Sequence, residues 1–517
     1  MKKRTKLNLL IKNKKKRKKH IKKLFKKRIK QEIEDFNINN ISKVLIILGL
    51  LFLLISSKFI SHKIKSKLLK NYILHEKYEK EFNTNSTCDL MDPIYIFNNR
   101  LNNKKILCEN EYTKHICYKD NSNYDFANKN GIICIMDNII IDPSKSRKSN
   151  FIYKGPVDIK HRGLPILSKG FFNTKCNFNN IKLNNSNIYN NYLNSWNYEY
   201  NEYNEKEKLE ELAPGKTVFL LSRNQDSPNL YHGNCEIINV ISMLYLFNLC
   251  PEDVQILFME SIEIPQDPFY DIYKNMLSRG GEPIYLKNLK KKYKISKAIH
   301  VPIIWDSPPF TFMKSPKCHS ITKTYKLYND LIDKYMNIKP YIDTFISDNK
   351  TIYYPDKVIK AKENKIKFKK FVTIQWRKVW PEGRKGQTRL LANGPQLADK
   401  LATVLPDNIL IRLINTASFP IKEQISLARN TDYFIGIHGA GLALSIFLPK
   451  NGILHEILNF KHNHLLTTMS SMSGHKTYSE ILKSQTNDIE GNKYIFFEEE
   501  SFIQSVFGHM KENNFFD

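Results

Sequence analysis

The stretch YFIGIHGAGLALSIFLPKNGILHEIL, residues 433–458, decides the fold. It opens with a short β-branched and aromatic run, passes through a glycine-rich turn into an apolar helical stretch that ends at Pro449, and returns to a second apolar run. A strand, a turn, a helix and a strand in this order make a βαβ unit, which implies neighbouring parallel strands. The segment therefore predicts an α/β domain with a buried parallel sheet.

The same alternation continues upstream. In the C-terminal half it predicts four strands (371–376, 409–414, 433–437 and 453–458), two helices (396–404 and 421–429) and a helix start at 441–447. An earlier βαβ unit is predicted from strands at 216–222 and 253–259 and a helix at 236–249. Such a pattern is typical of doubly wound sheets. We expect two Rossmann-like domains, separated by a less regular stretch at 260–365, to face a cleft.

The net charge of +30 is concentrated at the N-terminus. Residues 1–43 hold eighteen Lys or Arg and three acidic residues, so half of the excess lies in less than a tenth of the chain. The apolar run VLIILGLLFLLISS, residues 44–57, follows, and Lys43 and Lys58 can extend it to 41–60 by laying their methylene stems along lipid. The positive charge before this run predicts a signal anchor with a cytosolic N-terminus. A cleaved signal peptide is the alternative, but the basic region is too long for one.

All eight cysteines follow the predicted anchor, and five of them lie between residues 88 and 176. In an oxidising lumen this arrangement predicts a disulfide-bonded N-terminal region whose pairing the sequence leaves open. The domain prediction is a basic cytosolic tail (1–40), a transmembrane anchor (41–60), a stem with a Cys-containing irregular region (61–212), an acceptor-side domain (213–365) and a donor domain with a closing C-terminal segment (366–517).

The turn after the strand at 433–437 is the first candidate site. Ligands of open parallel sheets bind beyond the carboxyl ends of the strands, where helix N-termini offer N–H groups. Its residues are His438, Gly439, Ala440, Gly441 and Leu442. The glycines would let the backbone approach a diphosphate, and His438 could donate a hydrogen bond to it. A glycine-rich turn that binds nothing is the alternative interpretation.

The strand that follows this turn carries Glu456 at its carboxyl end. An acidic side chain at this position could accept hydrogen bonds from a ribose diol. The arrangement FIGIHGAGL, then FLP, then HEI closely resembles glycosyltransferase family 61.

Two upstream segments extend the resemblance. VTIQWR, ending at Arg377, and TRLLAN, which contains Arg389, look like the family's strand ending in Arg and its Arg-x-x-x-Asn segment. Guanidinium groups at the mouth of a cleft suit a diphosphate. The spacing between them is loose, so Arg384 competes with Arg389, and two solvated arginines are the alternative.

A third segment lies in the earlier domain. NLYHGNCE, residues 229–236, looks like the family's Asn-x-x-His segment with an acidic residue four positions after the His. Helix positions four apart share a face, so His232 and Glu236 are predicted to point together into the cleft as catalytic base candidates. The alternative makes His232 a helix cap and Glu236 a surface charge.

The resemblance implies a two-Rossmann architecture of the GT-B type and inverting transfer of a sugar, with GlcNAc or xylose preferred, from a UDP-sugar to a hydroxyl of a secretory-pathway protein or glycan. The sequence has no Asp-x-Asp motif of the kind that holds a divalent ion under a donor diphosphate. We therefore expect no metal and no cofactor besides the donor. Such an enzyme would be a single-pass type II membrane protein of the Golgi apparatus or endoplasmic reticulum with a lumenal catalytic part.

Two other functions stay open. A membrane-tethered relative that binds a nucleotide-sugar without transferring it would keep the turn and lose the base. A basic protein that binds membrane surfaces or nucleic acid would interleave basic and aromatic residues in its folded part, whereas the dense charge here ends before the predicted anchor. No nucleic-acid partner is therefore expected.

Overall fold

A computed structural model describes most of the chain after residue 86. The described residues are 87–119, 132–147, 166–177, 194–200, 209–223, 229–259, 267–302, 320–348, 351–378, 389–458 and 464–516, with single residues at 179, 192, 308 and 318. All of them belong to one compact unit, His75–Asp517. The predicted tail and the predicted anchor at 41–60 lie outside the described residues. Within the described ranges, no helix combines the length and the apolar character needed to cross a membrane.

The first sheet has ten strands in the described part of the chain, and its central path runs β1-β2-β3-β12-β9-β10-β11. Strands β9 to β12 pair in parallel, whereas β3 lies antiparallel to β12. Its strands are β1 Lys104–Glu109, β2 Lys114–Lys119, β3 Ile132–Ile141, β6 Phe172–Asn173, β7 Trp196–Asn197, β8 Glu210–Glu211, β9 Thr217–Leu221, β10 Val254–Phe258, β11 Ile284–Tyr285 and β12 Tyr293–Val301.

The second sheet has six described strands in the order β13-β16-β14-β17-β18-β19. Its strands are β13 Ile352–Tyr353, β14 Lys370–Gln375, β16 Ile409–Ile414, β17 Tyr433–Ile437, β18 Ile453–Leu458 and β19 Lys476–Ile481. All neighbours are parallel except β13. The parallel strands therefore follow the doubly wound order 2-1-3-4-5, with a topological switch point between β14 and β17.

Two smaller sheets complete the strands. One joins β15 Leu390–Leu391, β21 Asn492–Phe497 and β20 Ser484–Ile489, and the other joins β4 Ser146–Arg147 and β5 Ile166–Leu167. Because β15 follows Arg389 directly, the first of these sheets supports the segment that carries that arginine.

Helices cover both large sheets. The α-helices are α1 Thr87–Met91, α2 Pro93–Leu101, α3 Leu230–Leu246, α4 Tyr270–Ile272, α5 Lys323–Tyr335, α6 Asp356–Glu363, α7 Gly394–Val404, α8 Ile421–Arg429, α9 Leu465–Met472 and α10 Glu499–Glu512. A π-helical turn, Tyr273–Leu277, continues α4, and a 3-10 helix, Ala440–Phe447, follows β17. Buried residues of α7 and α10 pack with those of the second sheet in one apolar core.

The strand predictions are confirmed to within one residue at every end, and the mixed α/β class is confirmed with them. Helix α3 begins six residues before its predicted start because Asn229 caps it, with the side-chain oxygen of Asn229 accepting from the backbone N–H groups of Tyr231 and His232. Three polar or small residues in the first turns of the helix interrupt its apolar pattern, so the sequence predicted the helix start too late. The helix start predicted at 441–447 is a 3-10 helix, which is wound more tightly than an α-helix.

The two predicted domain boundaries that lie among the described residues, 212/213 and 365/366, divide strands of one sheet from each other. Strands β1 to β3 come from the region predicted as an irregular stem, yet β3 pairs with β12 along seven residue pairs. At the other boundary, β13 precedes residue 366 and pairs with β16. A sequence pattern finds strands, but which strands pair over long separations depends on packing that the pattern does not contain.

Three disulfides join six of the eight cysteines, which confirms the predicted disulfide-bonded region. The pairs are Cys88–Cys318, Cys108–Cys176 and Cys117–Cys134, and Cys235 and Cys250 are buried thiols. The first pair spans 230 residues of sequence and ties α1 to the segment before α5. A cross-link over a long loop removes more conformational entropy from the unfolded chain than one over a short loop.

This difference predicts the relative stability of two double variants. Cys88→Ser/Cys318→Ser is expected to lose about 5 kcal/mol of unfolding free energy in the loop-entropy limit, and Cys117→Ser/Cys134→Ser about 3 kcal/mol. The free energy of unfolding would be measured by urea titration of the full-length chain in detergent, with neither oxidant nor reductant added. Equal stability of the Cys88/Cys318 variant and the wild type would contradict the prediction.

Candidate functional site

The switch point of the second sheet gathers most of the predicted site residues. Arg377 lies two residues beyond β14, and His438 follows β17 directly. His438 continues the sheet pairing, because its backbone N–H donates to the Ile457 carbonyl oxygen at 3.0 Å. Crevices beyond the strand ends at a switch point are where open α/β sheets bind ligands.

The glycines of the turn make room for protein side chains. A Cβ at Gly439 would lie 1.9 Å from an Arg377 guanidinium nitrogen, and a Cβ at Gly441 would lie 1.6 Å from the Gln375 amide nitrogen. Gln375 donates a hydrogen bond to the Thr416 hydroxyl at 3.2 Å. The expected role of these glycines was close approach of the backbone to a diphosphate. The structure shows that the close neighbours are Arg377 and Gln375 from the adjacent strand.

His438 and Glu456 form a hydrogen-bonded pair. The distance from His438 Nδ1 to Glu456 Oε1 is 2.5 Å, and the Ser479 hydroxyl donates to Glu456 Oε2 at 3.2 Å. The Glu456 side chain is fully buried, whereas His438 is 14% exposed. The ribose-binding role expected for Glu456 does not fit, because both of its oxygens are occupied by protein groups beneath the surface. Glu456 instead orients His438, so that Nε2 is a donor when the ring is protonated and an acceptor when it is neutral.

Two arginines lie beside this pair. Arg377 donates from Nη1 to the His438 carbonyl oxygen at 3.2 Å. Burial and the nearby positive charge of Arg389 lower the pKa of Arg377 to about 10. Burial also lowers the pKa of Arg389, although attraction to Glu456 opposes this shift. The cluster of Arg377, Arg389 and His438 therefore carries positive charge in a partly desolvated place, which suits an anion.

Arg389 is held in an unusual backbone conformation, with φ at 68°. Its Nε is buried and has no hydrogen-bond partner among the residues that the structure describes. The backbone beyond it is anchored, since the Leu391 N–H donates to the Arg377 carbonyl oxygen at 3.0 Å. Arg384, the competing candidate, lies outside the described residues.

The last two residues of the predicted turn differ in position. Ala440 begins the 3-10 helix and is partly exposed. Leu442 is fully buried, and its side chain occupies the space where Gly436 has no Cβ. Leu442 was predicted to contact the donor, but it belongs to the core beneath the turn.

Glu236 and His232 lie on α3, which packs against the first sheet. Glu236 is 1% exposed, and the Tyr273 hydroxyl donates to its Oε2 at 3.4 Å. His232 is partly exposed in the first turn, and Asn229 is the helix cap. The alternative in which His232 caps the helix and Glu236 is a surface charge is therefore wrong on both counts.

A buried ion pair adjoins Glu236 through Tyr273. Arg223, two residues after β9, pairs with Asp267. Its guanidinium carbon lies 3.7 Å from the Phe258 ring centroid and 5.3 Å from that of Tyr273. Stacking and the ion pair both hold the guanidinium in place. The carboxyl edge of the first sheet thus carries a second buried polar cluster.

The 3-10 helix connects the two polar clusters. Helix α3 packs directly on it. The Tyr328 hydroxyl donates to Asn234 Oδ1 on α3 at 2.8 Å, and the Tyr328 ring meets the Phe447 ring of the 3-10 helix at a centroid distance of 5.3 Å. The helix that carries Glu236 and the turn that carries His438 are therefore parts of one packed interface.

Sequence reasoning missed several residues of these clusters. They are Gln375, Ser479, Tyr273, Arg223 and Asp267. Gln375 had a local signal, since it is a polar residue at the end of an apolar strand, two positions before Arg377. Ser479 and Tyr273 had none, because they reach the site only through strand register and helix packing.

The central part of the chain matches a known protein family. Residues 205–454 match the family model described as Glycosyltransferase 61. This match covers the paired residues His232 and Glu236, the two arginines and the His438 turn, but ends before Glu456. The resemblance to this family is confirmed.

Curated relatives carry one common name, EGF domain-specific O-linked N-acetylglucosamine transferase. The protein from Drosophila melanogaster is 23% identical over 296 residues, which cover 54% of this chain and 50% of the relative. The Gallus gallus protein is 23% identical over 250 residues, or 48% of this chain and 41% of the relative. The Bos taurus protein is 33% identical over 76 residues, 15% of this chain and 14% of the relative. The chain spans at most about half the length of the curated relatives it matches.

Because Arg377 lies against Gly439, we expect a larger residue at position 439 to weaken anion binding. Gly439→Ala is expected to displace the Arg377 guanidinium and to weaken pyrophosphate binding about tenfold, the cost of one good charge-assisted hydrogen bond. The matched control is Gly508→Ala on α10, where a Cβ meets nothing within 4 Å. Isothermal titration of the full-length chain would measure both. Unchanged pyrophosphate affinity in Gly439→Ala would contradict the prediction.

Proposed function

Because residues 205–454 match the Glycosyltransferase 61 family model, we propose that the chain is a glycosyltransferase. It transfers a sugar, GlcNAc or xylose, from a UDP-sugar to a hydroxyl of a secretory-pathway protein or glycan. The transfer inverts the anomeric centre and proceeds without a divalent metal.

The observation that carries this proposal is the pair of neighbouring arginines at the switch point. Burial lowers the pKa of both guanidinium groups, and repulsion by the positive charge of Arg389 lowers that of Arg377 further. A donor diphosphate between them would remove this repulsion and supply acceptors for the buried Arg389 Nε. The charge that develops on the leaving UDP would be stabilised by the same groups.

His438 would complete the diphosphate site. Its Nδ1 is held by Glu456, so Nε2 would contact a phosphate oxygen when the ring is protonated. Gly439 and Ala440 would offer backbone N–H groups at the start of the 3-10 helix. In this proposal Glu456 is a positioning residue that acts only through His438.

Glu236 is the proposed general base, and His232 assists on the same helix face. A base must accept the proton of the acceptor hydroxyl as UDP leaves. Glu236 is supported by the hydrogen bond that its carboxylate accepts from the Tyr273 hydroxyl, which orients it. Helix α3 adjoins the 3-10 helix of the His438 turn, so both groups can serve one cleft between GT-B-like domains.

The names of the relatives favour GlcNAc as the transferred sugar and an EGF domain as an acceptor class. The lumenal, type II membrane arrangement in the Golgi apparatus or endoplasmic reticulum is supported by the three disulfides, which form in oxidising compartments. The second candidate function is a relative that binds a nucleotide-sugar without catalysing transfer, and the buried Glu236 disfavours it.

Donor binding tests the site directly. One UDP-sugar among UDP-GlcNAc, UDP-xylose and GDP-mannose is expected to stabilise the full-length chain with EDTA present, by about 2.7 kcal/mol at one hundred times its Kd. Arg377→Lys keeps the charge but loses the forked donor geometry, so we expect about tenfold weaker binding. Thermal shift would be read against Arg279→Lys, a matched change at an exposed arginine. A folded chain that responds to no nucleotide-sugar would refute the donor site.

Catalysis is tested by Glu236→Gln, which keeps the shape of the side chain and removes its basicity. UDP release from the bound donor is expected to fall about 10²- to 10⁴-fold, with the donor-induced thermal shift unchanged. Glu252→Gln, at a carboxylate that contacts Tyr335 and Arg279, is the matched control. Wild-type binding without UDP release in any acceptor mixture would favour the non-catalytic relative.

A further inference from the structure

The opposite face of β18 carries a second cluster, which the proposed transfer reaction does not use. Residues alternate between the two faces of a strand, so His455 points away from the face that holds Glu456. His455 Nε2 lies 2.6 Å from Glu480 Oε1 on β19, and His509 Nε2 on α10 lies 3.3 Å from the same oxygen. His455 is fully buried, whereas Glu480 and His509 are 32% and 22% exposed.

The three ligand atoms fit a small, tetrahedrally coordinated cation. They all lie within 4.8 Å of one another. Zinc bonds of about 2.0–2.1 Å in tetrahedral geometry separate ligand atoms by roughly 3.3 Å. The separation of His509 from Glu480 already has this value, and that of His455 from Glu480 needs to open by about 0.7 Å. Two imidazoles and one carboxylate form a donor set that zinc favours.

The contacts outside this triad are those expected around metal ligands. His509 Nδ1 lies 3.2 Å from Glu512 Oε2, and His455 Nδ1 lies 3.1 Å from the Tyr433 hydroxyl. Carboxylate or hydroxyl partners on the far nitrogen of an imidazole orient the ring toward a metal. The Ser505 hydroxyl donates to Glu480 Oε1 and lies 3.4 Å from His455 Nε2, so a bound ion would displace it from both of these ligand atoms.

A second His- and Cys-containing cluster does not compete. His115, Cys117 and Cys134 also lie close together, but the two cysteines are joined by a disulfide and so offer no thiolate.

We propose that His455, Glu480 and His509 form a zinc site that fastens α10 to β18 and β19, with a water molecule as the fourth ligand. The partial exposure of Glu480 and His509 lets the ion and the water reach the site. The site lies on the other face of the sheet from the His438 pair, so the proposed transfer reaction does not use it. It is therefore separate from the proposed site of the donor diphosphate.

Zinc content of the full-length chain tests this site. The chain, purified through a tag without histidine, is dialysed against ZnCl₂, passed through gel filtration and analysed for metal. About one zinc per chain is expected in the wild type, with a higher melting temperature than after EDTA treatment. His509→Gln is expected to lose the zinc, and Glu512→Gln to bind it about tenfold more weakly.

His464→Gln is the matched control, because His464 is exposed and outside the triad. CoCl₂ in place of ZnCl₂ is expected to give the intense visible absorption of tetrahedral cobalt in the wild type and in His464→Gln, but not in His509→Gln. Circular dichroism would verify that the variants fold. A wild type without zinc, or equal zinc in His509→Gln and His464→Gln, would show that the three residues are only a hydrogen-bonded cluster. The thermal shift caused by the UDP-sugar is expected to persist in His509→Gln, which separates this test from that of the donor site.

Discussion

The close packing of the Arg377 guanidinium against the backbone of residue 439 is the constraint on which the second sheet's site depends. It requires a residue without Cβ at position 439, and the neighbouring approach of Gln375 requires another at position 441. The turn therefore needs its glycines because the side chains of Gln375, at the end of β14, and Arg377, two residues beyond it, lie against it. Anchored to the His438 carbonyl oxygen, Arg377 is already placed before any ligand arrives. Such preorganisation lowers the cost of ordering charged groups around a diphosphate.

The charged groups around this turn lie at two depths, one buried and one partly exposed. Glu456 is buried below the turn, where it is hydrogen-bonded to His438 and attracts Arg389, whereas His438 and both arginines are partly exposed. A fully buried carboxylate is tolerated only when it is hydrogen-bonded, and Ser479 and His438 meet that need. In the first sheet Arg223 and Asp267 likewise form a buried ion pair, which lies beside Tyr273. Each sheet thus presents an ordered polar cluster at its carboxyl edge.

Strand β18 serves two purposes with adjacent residues. Because successive side chains point to opposite faces, Glu456 faces the turn and His455 faces α10. Helix α10 also packs with α7 and the second sheet in one apolar core. An ion or a hydrogen-bonded cluster at His455 would therefore stiffen the strand whose next residue holds His438. The small sheet of β15, β20 and β21 supports the arginine segment from the other side.

The sequence by itself determined the parallel strands β9 and β10 of the first sheet and β14, β16, β17 and β18 of the second, because burial on both faces of a parallel strand leaves a continuous apolar run and because turns need glycine or proline. It also indicated Arg377, His438 and Glu456 as one group, since they follow or lie toward the carboxyl ends of strands of one parallel sheet, and the family resemblance added Arg389. Only the tertiary structure decided that Glu456 orients a histidine, that Leu442 is core and that the stem's strands join the first sheet. The physical reason is that these roles depend on distance, register and burial between residues far apart in sequence, whereas a sequence pattern reports only the periodicity of its own segment.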